Sequence, residues 1–252
     1  MEHTDEPQDS LVDRQIEGIV EQVAARQAPV QPGQHSREAL DREEREIKDN
    51  VLRMGSLVAE QILAALAALE AHDVDAATAV IIGDARLNEV QRSVSSLIGR
   101  TIATQQPVAR DLRFLLTLDH VSYELERMGD HASSVAKQAR KLAPEPPLAK
   151  YVYLPQMGAL CASQVREVLR ALIDIDEKRA REVAAIDDDI DRLYHELFDT
   201  VLELMRADPE NVDRGARILF AAHYLERIGD RVTNIAEDVV FLATGDIEDL
   251  NP

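Results

Sequence analysis

The sequence lacks tryptophan, contains a single cysteine, and has only 4% aromatic residues among its 252 residues. A chain this poor in aromatic residues must build its core from Leu, Ile, Val, Ala and Met, which favours packed helices over a β-sandwich. The lone Cys161 excludes an internal disulfide. The N-terminal segment is polar and acidic, unlike a signal peptide, so the sequence predicts a cytoplasmic protein.

Positive charge is also scarce, since 28 Lys and Arg stand against 47 Asp and Glu, for a formal net charge of −19. Nucleic-acid binders hold phosphates with clustered Lys and Arg, so this balance predicts no nucleic-acid partner. The longest uniformly apolar run covers residues 62–69, which is far shorter than the ~20 residues that cross a bilayer. We therefore expect membrane contact only indirectly, through partners.

Apolar residues recur at alternating steps of three and four residues, which is the period of a helix. The pattern predicts an all-α fold of two tandem three-helix bundles, with six long antiparallel helices. In the first half the helices begin near residue 42 and end near 71, 105 and 143. In the second half they span residues 155–174, 177–207 and 209–243.

The two halves repeat. YELERMGD at residues 123–130 corresponds to YLERIGD at residues 224–230, which indicates a duplicated module. The predicted organisation is a first repeat at 37–143, a Pro-rich linker at 144–154 and a second repeat at 155–245. An acidic, disordered extension (1–36) would precede them, and a short tail (246–252) would follow.

Pairs of oxygen-bearing side chains, four residues apart and therefore on one helix face, occur twice in each half. Two carboxylates at this spacing repel by ~0.2–0.5 kcal/mol unless a cation or an arginine neutralises them. If the second and third helices of each half lie side by side, the pairs form two clusters that flank the core and point outward. The pairs are Asp84 with Asn88, Glu126 with Asp130, Asp187 with Asp191, and Glu226 with Asp230.

Such clusters are candidate metal sites, because oxygen ligands suit cations such as Mg, Ca, Mn or Fe, and Zn less well. Asn234, one turn beyond Asp230, would add a ligand in the second half, where the first half has Ser134. The alternative is a solvated surface with Arg127 and Arg227 as counterions. Gly129 and Gly229, inside the helices, would give room at the clusters or permit close helix packing.

Enzymatic interpretations find little support in the residues. The sequence has no Gly-x-Ser-x-Gly, no phosphate-binding Gly-rich loop and no His-Glu-x-x-His motif. A di-iron carboxylate bundle would need Glu-x-x-His motifs, and no histidine here follows a glutamate by three residues.

Three segments together resemble the PhoU family: QQPVARDLR at 105–113, ERMGD at 126–130 and ERIGDRVTN at 226–234. The resemblance covers about residues 37–245. It implies a non-enzymatic negative regulator of the phosphate-starvation response, which contacts a PhoR-type sensor histidine kinase and a PstB-type transporter ATPase. It also implies that the acidic motifs, including Asp84-x-x-x-Asn88, hold multinuclear iron or zinc.

Three functions remain to be compared at this stage. The first is an adaptor that docks on partners, and an exposed side of a helical bundle makes it a candidate homodimer. The second is a metal-buffering or metal-dependent enzyme that uses the same carboxylates. The third, a DNA-binding repressor, conflicts with the charge of −19.

Overall fold

In the computed structural model, residues 34–148 and 153–250 are described, with side chains from residue 37 onward. Nearly all of the predicted N-terminal extension, four residues of the predicted linker and the last two residues lie outside the described residues. The chain divides into two compact units, Met1–Ala39 and Leu40–Pro252. In the first unit, residues 34–39 are helical; both repeats lie in the second unit.

The described residues form helices and connecting turns with no strand, which confirms the all-α prediction. A single 3₁₀ turn, Pro209–Asn211, precedes the last helix, so Pro209 lies just outside that helix rather than in its first turn. The α-helices are α1 (Gln34–Ala71), α2 (Val74–Gln105), α3 (Ala109–Leu142), α4 (Tyr153–Asp174), α5 (Glu177–Ala184), α6 (Asp187–Ala207) and α7 (Val212–Thr244).

The helix predicted over residues 177–207 is broken at Ala185 and Ile186, so that prediction was wrong. The carbonyl of Val183 accepts hydrogen bonds from Ile186 N (3.1 Å) and from Gln164 Nε2 (3.2 Å), and the α-helical register ends there. Three aspartates follow at residues 187–189, and acidic side chains stabilise a helix N-terminus. The break makes Asp187 the first residue of α6.

The turns that join α1 to α2 and α4 to α5 show the duplication in detail. His72 and Ile175 each have a left-handed backbone, with φ of 52°. The next residue, Asp73 or Asp176, caps the following helix: Asp73 Oδ1 accepts from Ala76 N (2.9 Å) and Asp176 Oδ1 from Arg179 N (3.1 Å). Both repeats therefore begin their second helix with the same capped turn.

The repeats also pack against each other reciprocally through α1 and α4. A Cβ added to Gly55 of α1 would overlap Leu169 of α4, and one added to Gly158 of α4 would overlap Leu66 of α1. Such exchange of equivalent contacts is typical of an interface around a two-fold axis. The glycines let the two helices approach closely at the centre of the core.

The core contains the predicted helical stripes. Leu118, Val121, Leu125 and Met128 of α3 are fully buried, as are Leu225 and Ile228 of α7. Cys161 is also fully buried, and its thiol donates to the carbonyl of Leu225 (3.3 Å). These positions confirm that the three-and-four spacing marks the buried faces.

One described helix, residues 37–71 of α1, is long and apolar enough to cross a membrane by length and composition. Half of its most apolar window is buried inside the protein. Ile47, Val51, Met54 and Val58 form its buried face, which is what a core helix of a helical bundle shows.

Candidate functional site

The first predicted cluster forms where α2 lies beside α3. Burial raises the pKa of Asp84 above its ordinary value, and the charge of Asp130 raises it further. Burial also raises the pKa of Glu126, with further contributions from Asp130 and Asp84. The mutual repulsion means that these three carboxylates share one patch, as the spacing predicted.

Several buried oxygens in this patch have no hydrogen-bond donor among the described residues. They are Asp84 Oδ1, Asn88 Oδ1 and Gln61 Oε1. Gln61 belongs to α1, and its side chain hydrogen-bonds to the Asp84 carboxylate, which lowers the pKa of Asp84. Buried oxygens without donors are costly in a protein interior unless a cation or water satisfies them.

The second predicted cluster forms where α6 lies beside α7. Burial raises the pKa of Glu226 to about 7, and the charges of Asp230 and Asp191 contribute further. Burial likewise raises the pKa of Asp191, followed by the charge of Asp230. This patch is therefore the duplicate of the first, with a larger shift at its glutamate.

Asp187 differs from the outward orientation expected for the pairs. It is 1% exposed and lies against α7, where a Cβ added to Gly229 would overlap its carboxylate. The helix break at Ala185 and Ile186 places it there. In the first repeat, a Cβ at Gly129 would lie 3.2 Å from Asp84 Oδ1. Gly229 thus makes room for an aspartate, whereas Gly129 lies closest to Leu87 and permits close packing of α2 on α3. Both roles were predicted for these glycines.

Two histidines beside the second cluster were not predicted from the sequence. His223 Nδ1 lies 3.2 Å from Glu226 Oε2, and His195 Nδ1 lies 2.7 Å from the backbone oxygen of Asp191. Each lies one helical turn from a cluster residue, which is the signal that could have found them. The corresponding residues of the first repeat are Arg92 and Tyr123, so the first repeat has no imidazole at these two positions.

Arginines act as local counterions in both clusters, as the alternative interpretation expected. Arg127 Nη1 lies 3.7 Å from Asp130 Oδ2, and Arg227 Nη1 donates to Asp230 Oδ2 at 2.6 Å. Among residues 37–148 and 153–250, no three His, Cys, Asp or Glu side chains converge in a metal-binding group. The donor chemistry fits a hard cation, but side chains would have to turn toward it.

The side chain of Asn234 hydrogen-bonds to a carboxylate outside the predicted cluster. Its side-chain amide donates to Glu124 Oε2 of α3 (3.3 Å). Glu124 also accepts from Arg231 Nη1, at 3.2 Å and 3.3 Å. Asn234 and Asp230 nevertheless line one surface cavity of about 370 Å³.

Glu124 and Arg231 form an ion pair between the two repeats that sequence reasoning missed. Glu124 is buried in this pair and Arg231 is partly exposed. The duplicate of this pair is Tyr224 with His131, whose rings stack at 6.0 Å. One turn away, His120 Nδ1 lies 2.7 Å from Asp238 Oδ2, and this hydrogen bond raises the pKa of His120. The antiparallel α3 and α7 are therefore joined by polar contacts outside both clusters.

The family model for the PhoU domain matches this chain twice, over residues 51–139 and 154–239. The chain belongs to the PhoU family. Both PhoU-domain matches agree with the duplication, and each contains one acidic cluster. The exact limits of the repeats and of the linker between them stay predictions.

PhoU relatives cover most of the chain. The phosphate-specific transport system accessory protein PhoU homolog of Clostridium acetobutylicum is 37% identical over 209 residues, 82% of this chain and 94% of the relative. The homolog of the same name from Xylella fastidiosa is 36% identical over 212 residues, 84% of this chain and 89% of the relative.

Two solved PhoU structures resemble the fold described above. The crystal structure of PhoU from Pseudomonas aeruginosa has a TM-score of 0.78 and 34% identity, covering 82% of this chain and 99% of that one. The phosphate transport system regulatory protein PhoU from Streptococcus pneumoniae has a TM-score of 0.77 and 31% identity, covering 83% and 99%.

Proposed function

We propose that this chain is a non-enzymatic regulator of phosphate homeostasis, which represses the phosphate-starvation response and modulates a phosphate-specific ABC transporter. The observation that carries the proposal is the double PhoU-domain match over both repeats. The names of its relatives, accessory proteins of phosphate-specific transport, support the same process. The chain acts through contact with other proteins.

The proposed partners are a sensor histidine kinase of the PhoR type and a transporter ATPase of the PstB type. Both contacts would be made in the cytoplasm, with the membrane reached only through these partners, and the chain would act as a homodimer. A net charge of −19 supports binding to basic protein surfaces and opposes binding to nucleic acid.

Binding of purified components tests the partner proposal. The intact chain would be immobilised and exposed to the detergent-solubilised kinase and to the transporter complex from the same organism, with an unrelated acidic helical protein as the control surface. Either partner is expected to bind saturably to this chain and not to the control protein. Failure of both to bind, with the partners shown to be active, would overturn the proposal of direct contact.

The two acidic clusters are the proposed metal sites of this regulator. The pKa values of carboxylates in both repeats are raised, which supports the proposal. A bound cation would relieve the repulsion between these carboxylates. The oxygen donors suit Mg, Mn or Fe, and Zn remains a candidate. The proposed ligands are Asp84, Asn88, Glu126, Asp130, Asp187, Asp191, Glu226, Asp230 and Asn234.

Elemental analysis of protein purified without an affinity tag tests this metal proposal. Wild type should retain metal after gel filtration, and the double variant Glu126→Ala/Glu226→Ala should lose it. The matched control is Glu60→Ala/Glu70→Ala, which removes two exposed glutamates of α1. Wild type that holds no metal and refuses added Mg, Mn, Fe and Zn would remove the metal proposal and leave the regulator proposal standing.

A metal-buffering or metal-dependent enzymatic role is the second candidate. The observation that favours it is the pair of imidazoles, His195 and His223, beside the second cluster, since imidazole is a good ligand for Zn and Fe. Redox cycling or turnover by the metal-loaded protein would support this role. Regulation that persists in metal-depleted protein would contradict it.

A further inference from the structure

An apolar groove runs along the end of the bundle where α3 begins and α7 ends. Two adjoining surface cavities, of about 410 Å³ and 430 Å³, share His120, Asp238 and Phe241 in their linings. We call this surface the end groove and define it by Leu112, Leu116, Phe241, Ile247, Glu237 and Asp238. It lies outside both acidic clusters.

Two of the four apolar residues of the end groove are largely exposed, and the other two, Leu112 and Phe241, are half-buried. Leu116 is 54% exposed and Ile247 is 90% exposed. Contiguous exposed apolar side chains, bordered by polar ones, are typical of protein interaction sites. Arg113 lies over the ring of Phe241, 5.1 Å from its centroid, so the aromatic face is covered only by a displaceable cation.

Ile247 is held in solvent by contacts on both sides of it. Glu248 accepts from both terminal nitrogens of Arg181, at 2.8 Å and 3.0 Å. The backbone N–H of Leu250 donates to Glu237 Oε1 at 3.0 Å, and that of Asp246 donates to Thr244 Oγ1 at 3.1 Å. The segment after α7 is therefore fastened along the protein, with Leu250 packed against the core and Ile247 exposed to solvent.

The charge of the end groove limits what could cover it. Two of the lining acids already have partners, since Asp238 pairs with His120 and Glu248 with Arg181. The acids of the lining and the adjoining segment nevertheless outnumber the cations Arg113, His120 and Arg181; these acids are Glu237, Asp238, Glu248, Asp246 and Asp249. The Glu237 carboxylate accepts from a neutral backbone N–H, so no cation among the described residues neutralises it. An anionic membrane surface would be repelled, whereas a basic segment would be attracted.

The equivalent surface of the other repeat, at the other end of the bundle, differs from the end groove in its charged and aromatic residues. The cavity there, about 250 Å³, is lined by Lys141, Arg217, Phe220 and Tyr224. Lys141 stands where Phe241 does, and Phe220 stands where His120 does. Because the repeats have diverged at these positions, the two ends of the α3 and α7 pair offer different surfaces for binding.

We propose that the end groove is the docking site for a basic amphipathic helix of a partner protein. The apolar face of that helix contacts Leu112, Leu116, Phe241 and Ile247, and its Lys or Arg residues pair with Glu237 and Asp238. This is the helix-in-groove mode of recognition, with apolar anchors spaced three and four residues apart. The inference rests on the proposed function, action by protein contact, and assigns the surface that makes the contact.

A labelled Leu/Lys amphipathic peptide of about 18 residues is the probe, since that length forms a helix of several turns. Its affinity for the full chain would be measured by fluorescence anisotropy for wild type and for Leu116→Asn/Ile247→Asn. The variant keeps the net charge and should weaken binding by about tenfold or more, as loss of anchor residues does. Phe220→Asn, a residue 55% exposed at the other end of the bundle, should stay within about twofold of wild type.

Other results overturn the proposal. Equal affinities for wild type and Leu116→Asn/Ile247→Asn would mean that net charge alone holds the peptide. Equal binding of a Leu/Glu peptide would remove the charge argument. A change of oligomeric state in the variant, measured by analytical ultracentrifugation, would make the end groove a contact between copies of this chain instead.

A cellular readout separates this inference from the proposed function. In cells that lack the gene, a phosphate-starvation reporter should be repressed by wild type and by Phe220→Asn, and derepressed with Leu116→Asn/Ile247→Asn. Repression by wild type and by both variants would overturn the end groove as the regulatory contact and leave the proposed function intact. Repression by none, wild type included, would reject the proposed function itself.

Discussion

Asp187 lies against Gly229, so closely that a Cβ added to the glycine would overlap the carboxylate. In the first repeat, a Cβ added to Gly129 would overlap Leu87 and would lie 3.2 Å from Asp84 Oδ1. A glycine inside a helix costs ~1 kcal/mol relative to alanine, and here both repeats bear that cost at the same place. The space it leaves is occupied by side chains of the neighbouring helix, Asp187 in the second repeat and Leu87 beside Asp84 in the first. This ties the glycine of the PhoU motif to a packing requirement.

Substitution of these glycines tests that relationship. Gly129→Ala and Gly229→Ala should each lower the free energy of unfolding by ~1–3 kcal/mol, because an extra methyl must displace a neighbouring side chain. Gly83→Ala and Gly99→Ala, at helical sites where nothing lies within 4 Å of the added Cβ, should raise it by ~0.5–1 kcal/mol. Urea unfolding measures the free energy of unfolding of all four variants. Equal changes at the two sets of glycines would contradict the account.

The pKa of Glu226 predicts a pH-dependent stability of metal-free protein. Because its pKa is raised from 4.5 to about 7, the folded state binds more protons than the unfolded state between these values. Stability should therefore fall as the pH rises through this window. Glu226→Gln should be more stable than wild type above pH 7, by ~1–3 kcal/mol after allowance for solvent screening, and similar to it near pH 4.5.

Chemical unfolding of protein treated with a chelator, at a series of pH values, measures this difference. Asp199→Asn, at an exposed position on α6, is the control and should follow the wild-type profile. A Glu226→Gln profile parallel to that of wild type would show that Glu226 titrates at its ordinary pKa.

The ion pair of Glu124 and Arg231 predicts strong coupling between the repeats. Arg231→Ala should cost ~1–3 kcal/mol, because buried Glu124 loses the guanidinium and keeps only His120, at 3.6 Å, and the Asn234 amide as partners. A double-mutant cycle with Glu124→Gln should give a coupling energy of ~1–3 kcal/mol. The exposed pair of Lys178 and Glu182, 3.7 Å apart, should give under ~0.5 kcal/mol. Additive effects at Glu124 and Arg231 would exclude the contact.

The features that could be predicted from the sequence are local or periodic ones. The buried stripes and the duplication follow from spacing along single helices. The pairing of the second and third helices of each repeat was a condition of the cluster prediction, and spacing alone did not determine it. The position of Asp187 could not be predicted, because it depends on the break at Ala185 and Ile186. That break is stabilised by Gln164 of α4, whose side chain binds the Val183 carbonyl.

Contacts between different repeats were also beyond sequence reasoning. Glu124 resembles any surface acid in the sequence, and it is buried only because α7 brings Arg231 and Asn234 against it. Within the first repeat, the contact of Gln61 with Asp84 was also not predicted, because it depends on how α1 packs beside α2. Which neighbour a side chain meets depends on how far each helix is rotated about its own axis, and helical periodicity does not determine that rotation across repeats.

Phosphate uptake in cells that lack the gene tests the central claim, regulation of phosphate transport, most directly. Radiolabelled phosphate uptake would be measured at high external phosphate, with the empty vector, wild type and Glu126→Gln/Glu226→Gln. The account predicts that wild type restrains uptake relative to the empty vector and that the cluster variant, at equal abundance, restrains it less. Uptake unchanged by the wild-type chain would contradict the claim.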